Sequence, residues 1–231
     1  MPTRRFFLAQ SALFVPALAG CSAARQVIND QIPAIENPGS LDGKQFPVPV
    51  SSGSRVAVSG TGTYNGTFPD IPAVGQQSRL NFAELTQNLR GEIGYTPLGG
   101  TDFPTRIVLT DVSLTVKLGD GAGIAAIVPS STRFVTIPSL RPASGSLTFN
   151  RIQGTDRYQW DQTGEIPLGA VRLSGGDAKT LFLLLTERDN VNQNTNAVTA
   201  TFSASADAQG VSTATGVLQF TFGKGVARVG I

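Results

Sequence analysis

The sequence predicts an all-β protein, an antiparallel β-sandwich with a β-barrel as the alternative. Apolar and polar residues alternate with period 2 through several segments, as in strands that bury one face. Gly and Pro, at 26 and 14 of the 231 residues, punctuate the chain between those segments and supply turns for about ten strands. No repeat of fixed length is present. With 40% apolar residues the chain can bury a core rather than remain disordered.

The N-terminus, MPTRRFFLAQSALFVPALAGCSA, departs from that pattern. Arg4 and Arg5 precede a moderately apolar run from Phe6 to Ala19, which is short of the roughly 20 residues a membrane-spanning helix needs. The string Thr3-Arg4-Arg5-Phe6-Phe7-Leu8 resembles the twin-arginine export signal, and Leu18-Ala19-Gly20-Cys21 resembles the bacterial lipobox. That resemblance, confined to the first 22 residues, implies that residues 1–20 are a removed signal peptide and that Cys21 carries the lipid. Ser22, standing where an Asp would retain the protein at the inner membrane, implies an outer-membrane lipoprotein of the cell envelope.

Without residues 1–20 the 18 basic side chains fall to 16, because Arg4 and Arg5 leave, and so match the 16 acids. A neutral chain with arginines scattered from Arg55 to Arg188 has no clustered positive charge for nucleic acid. Cys21 is the single cysteine, so no internal disulfide is available and stability must come from packing and strand pairing.

Residues 21–50 hold four prolines and two glycines without a sustained period, which predicts a lipidated N-terminus and tether, its end docked as an edge. A β-rich domain over 51–231 follows. Val56, Val58, Gly60, Gly62 and Tyr64 share one face; so do Val108, Thr110, Val112, Leu114, Val116 and Leu118. Val198, Ala200, Phe202 and Ala204 alternate with polar residues, and Asp207-Ala208-Gln209-Gly210 suggests a hairpin whose second strand ends in Phe220 and Phe222. Two segments break the alternation. Leu181 to Leu185 is a continuous apolar run, a central strand or a buried helical segment. Asn81 to Gly91 puts Phe82, Leu85 and Leu89 on a helical stripe with Asn81 as cap, Glu84 three residues on and Gly91 as stop, which predicts one short helix near 82–90.

Candidate chemistry is sparse. The absence of histidine removes Ser-His-Asp and Cys-His apparatus and the common zinc, copper and haem ligand sets. The glycine-rich stretches at 60–66 and 119–123 lack the lysine of a phosphate loop. The polar run from Asp189 to Asn196 lacks the glycine and terminal acid of a calcium loop. Glu84 with Glu92, or Asp161 with Glu165, are the carboxylate pairs a glycosidase would need. Tyr158 and Trp160 project to one face beside Asp161, a candidate sugar platform set against ordinary core packing. The sequence therefore predicts a non-catalytic envelope protein without metal or cofactor. It would hold the membrane through lipid on Cys21 and serve an envelope protein partner as a structural or accessory subunit. The alternative is a β-barrel carrier or binding protein for a small apolar ligand or a sugar.

Overall fold

A computed structural model describes residues 34–51, 55–66, 82–99, 102–119, 134–178, 196–211 and 214–230. The strands are β1 (Ile35–Glu36), β2 (Gln45–Val50), β3 (Val56–Gly66), β4 (Phe82–Leu89), β5 (Glu92–Pro97) and β6 (Arg106–Gly119), then β7 (Phe134–Leu140), β8 (Ser146–Arg151), β9 (Arg157–Trp160), β10 (Ile166–Ser174), β11 (Asn196–Gln209) and β12 (Gly216–Gly230). The protein is all-β, as the alternation predicts. Its pairings are antiparallel and follow the order β10-β4-β12-β5-β9-β8-β6-β11-β3, with β1 and β2 also on β12 and β7 on β6.

The long strand β12 is the spine. Its first half lies between β2 and β5, and its second half between β1 and β4. β4 and β5 form one bent strand along it, because Arg90 N, at the bend, still donates to Thr221 O (2.8 Å). At Gly91 a Cβ would strike the Gly164 carbonyl, so glycine lets the two backbones meet there.

Prolines keep the sheet open where β3 approaches β2. Phe222 N donates to Lys44 O (2.9 Å), so Phe46 and Val48 turn their backbone groups toward β12 while Gln45, Pro47 and Pro49 turn theirs away. On that free side Tyr64 Oη donates to Gln45 O (2.7 Å), and Gly60 lies against the Pro47 carbonyl. Pro47 and Pro49 have no N–H to offer, so β3 cannot extend the ladder. Tyr64 folds its ring over Gly62, covering the gap that the glycine leaves.

The inward faces form one apolar cluster. Phe46, Phe202, Phe220 and Phe222 meet at its centre with ring centroids 4.8 to 5.7 Å apart. Phe149 meets Phe220 edge-on at 6.1 Å, an arrangement favoured by the ring quadrupoles.

Four expectations are corrected. The segment 82–89 is strand β4, not a helix: Ala83, Leu85, Gln87 and Leu89 all face inward. The alternation is hidden in sequence because Gln87 is the buried polar residue within it, 1% exposed. The end of the 21–50 segment docks on β12 as β1 and β2, and the packed part is longer than an edge at its tip, since Ile35, Leu41, Phe46 and Val48 are core residues. β11 and β12 do not form a hairpin: β11 pairs with β3 and β6, and its Phe202 reaches Phe220 across the core rather than along a ladder. The phase of β6 changes at Asp111, whose φ of 55° marks an extra residue, so Ile107 and Leu109 are inward before it and Val112 and Leu114 after it. The predicted run at Leu181 to Leu185 lies outside the described residues.

Candidate polar cleft

β5 and β12 place their odd and even residues on opposite faces, so inward Ile93 and Tyr95, each 1% exposed, leave Glu92, Gly94 and Thr96 facing out. Register then sets Arg157 of β9 opposite Gly94 on one side, and Gln219 of β12 opposite it on the other. Gly94 contributes no side chain, and a cleft of about 240 Å³ opens above it. Gln45, Thr221 and Asp156 complete the polar wall. Ile93 and Tyr95 contribute backbone there, their side chains being inward.

The Arg157 guanidinium donates to the Glu92 carboxylate. That hydrogen bond and then the charge of Glu92 raise the Arg157 pKa above its ordinary value; desolvation opposes them, and Asp156 adds a lesser rise. The pair is solvent-accessible, with side chains 63% and 40% exposed, and holds Arg157 in place more than it stabilises the fold. The cleft thus offers amides, hydroxyls, the Arg157–Glu92 ion pair and a second carboxylate, Asp156. It has no paired nucleophile and base, and among the described residues no group of three His, Cys, Asp or Glu side chains could hold a metal.

The sequence-derived candidates lie elsewhere. Tyr158 and Trp160 are 0% and 6% exposed and face the core, while Asp161 is exposed, so the two rings offer no surface on which a sugar could stack beside Asp161. Tyr158 Oη donates to Pro104 O (2.6 Å), and burial, the first cause, pushes its pKa up to about 12, with Arg151 lowering it and Tyr95 raising it. Tyr95, whose ring lies 6.0 Å from that of Tyr158, has a buried hydroxyl with no hydrogen-bond partner among the described residues. Glu84 and Glu92 are eight positions apart along the bent strand, about 26 Å at roughly 3.3 Å per residue if extended, too far for a glycosidase pair. Glu165 is committed to structure: it accepts from Asn88 Nδ2 and Lys224 N, both at 3.0 Å, and its Oε1 lies 3.4 Å from Arg90. Asp161 instead bonds through its backbone N to Thr148 O (3.0 Å). Arg4, Arg5 and Cys21 lie outside the described residues, as does the polar run over 189–195. Sequence reasoning missed Gly94, Gln219 and Arg157; their one legible signal is a glycine inside a strand, between Glu92 and Thr96.

Fold and cleft together define an all-β domain with a small polar depression on its outer face. Comparison with protein-family models, curated proteins and solved structures finds no match to any of the three.

Proposed function

We propose that this protein is a lipid-anchored, non-catalytic component of the cell envelope, a structural or accessory subunit that works through protein contacts at the outer membrane or surface layer. One observation carries this reading: the single cysteine of the chain stands at the end of Leu18-Ala19-Gly20-Cys21, behind Arg4-Arg5 and a short apolar run. Lipid at Cys21 supplies location and the β domain supplies contacts. The described chain enters that domain at β1, which pairs with Val226 and Ala227 near the end of β12. Residues 22–34 reach at most about 45 Å when extended, so the anchor keeps the domain close to its membrane. No helix among the described residues is long and apolar enough to cross a bilayer. The packed aromatic centre favours a contact-making domain over a carrier that encloses an apolar molecule.

Mass spectrometry of the mature N-terminus tests the reading. A diacylated Cys21 with residues 1–20 removed is the expected result, and Cys21→Ala should release the protein from membranes. An unmodified Cys21 in membrane-bound protein would overturn it. Export should stop in the Arg4→Lys, Arg5→Lys double variant, and normal export would reject the twin-arginine route.

A further inference from the structure

Gly94 is a glycine the fold does not require. At several other strand glycines the reason is visible: Gly119 and Gly169 take positive φ of 124° and 77°, and a Cβ at Gly223 would enter the Glu165 carboxylate at 2.7 Å. At Gly94 φ is not positive, and a Cβ would meet only the Gln219 Cβ at 3.5 Å, an ordinary contact. An unforced glycine in a paired strand weakens it, and such positions mark places where something approaches the backbone closely. This one forms the floor of the polar cleft.

The lining selects the ligand. Arg157 is paired with Glu92 and Asp156 adds a second carboxylate, so the cleft holds no free positive charge for a phosphate or carboxylate and repels both. Its side chains are polar, with no aromatic or aliphatic anchor of the kind that dominates protein interfaces. Both edges of β5 beside Gly94 are already paired, by β9 and β12, so a peptide cannot add there as a strand. Amides, hydroxyls and two carboxylates beside one guanidinium suit a ligand dense in hydroxyls, which can donate to the acids and accept from the amides and Arg157. At about 240 Å³ the cleft lies below the roughly 300 Å³ at which pockets for whole drug-sized ligands begin. It suits one unit of a longer polymer.

We propose that the cleft over Gly94 binds one sugar residue of a neutral polysaccharide, its ring lying on the Gly94 backbone between Arg157 and Gln219. This site stands apart from lipidation at Cys21 and does not depend on it. The test is calorimetric titration of the full-length protein, in a detergent without a sugar headgroup, with chitotetraose, cellotetraose and maltotetraose, and with a glutamine-rich peptide. Saturable binding of at least one saccharide is expected. It should weaken tenfold or more in Gly94→Leu and in Arg157→Ala, and less in Gly94→Ala, whose Cβ the site accommodates. Arg157 is an exposed side chain, so its variant keeps the test valid if Gly94→Leu fails to fold. Absence of binding to all three saccharides, binding that both variants leave unchanged, or preference for the peptide would each overturn the proposal.

Discussion

Two adjoining stretches of β12 are held by opposite means. Phe220 and Phe222, both 0% exposed, end a run of alternating residues and lie against Phe46 and Phe202. Immediately after them, Gly223 and Lys224 supply one extra residue between Phe222, opposite Leu89, and Gly225, opposite Gln87. This bulge is held by polar groups. Gln87 Nε2 donates to Gly223 O (2.9 Å) and to Asn88 O (3.0 Å), and Glu165 accepts from Lys224 N (3.0 Å). Arg90 spans from Glu165 to Asp42, whose oxygen lies 2.7 Å away, and so ties the N-terminal segment to the bend. Apolar packing is non-directional and tolerates several topologies, whereas the corner needs each donor at one place. The aromatic centre should therefore carry most of the stability, and the corner should set where β12 changes partners.

The largest effect that sharpens this contrast is expected at Phe220. Phe220→Ala should cost about 3–5 kcal/mol in a denaturation experiment, the range for a large ring removed from a packed core. A melt like that of wild type would mean that the aromatic centre does not carry the fold. At the corner, Gln87→Leu keeps most of the volume but leaves the Gly223 carbonyl without its donor, at a cost of about 1–3 kcal/mol. A neutral result would show that the bulge holds without Gln87.

The two core tyrosines give a smaller and more discriminating comparison. Tyr158→Phe loses the bond to Pro104 and should cost about 0.5–1.5 kcal/mol, while Tyr95→Phe loses none and should be neutral or stabilising. Equal costs would place an accepting group at Tyr95. The pH dependence follows from the same residue. Tyr158 titrates near 12 when folded against 10.0 ordinarily, so above about 10 the unfolded chain gives up that proton first. Stability should fall as pH rises from about 10 toward about 12, and be unaffected by this group below that window. Burial raises Tyr64 in the same direction, and burial followed by Asp102 raises Tyr95. Equilibrium unfolding across that range, followed by the fluorescence of the single tryptophan, Trp160, should show a shallower alkaline loss in Tyr158→Phe. The smallest effect belongs to Arg90→Ala, about 0–1 kcal/mol and fading in salt, because its side chain is 46% exposed. A larger loss would make the corner more than a surface brace.

How far the sequence could be read varies from strand to strand. In β3 and β11 the inward residues Val58, Ala200, Phe202 and Ala204 follow directly from alternation. In β4 the same rule fails to reveal itself because Gln87 interrupts the apolar set, and a helical stripe fits the remaining residues. Gln87 faces the core to serve a carbonyl 136 residues away, a demand that no local window contains. Asp111 hides the phase of β6 for a similar reason, since an aspartate at positive φ looks like any exposed polar residue until the ladder with β11 shows two registers. The cleft was illegible because its members come from β2, β5, β9 and β12, and because its central feature is a missing side chain.

By itself the sequence determined the all-β class and the inward residues of β3, β11 and the later part of β6, because successive side chains of a strand point to opposite faces, a property each segment carries locally. It also marked Phe202, Phe220 and Phe222 as core, although the hairpin expected to join them does not exist. Only the tertiary structure decided that β12 lies between β2 and β5 and then between β1 and β4, that Pro47 and Pro49 hold the sheet open beside β3, and that Arg157, Gly94 and Gln219 stand in one row. Each of these rests on backbone hydrogen bonds between residues distant in sequence. Alternation fixes which face a side chain takes; only the register of those long-range bonds fixes which neighbours it meets.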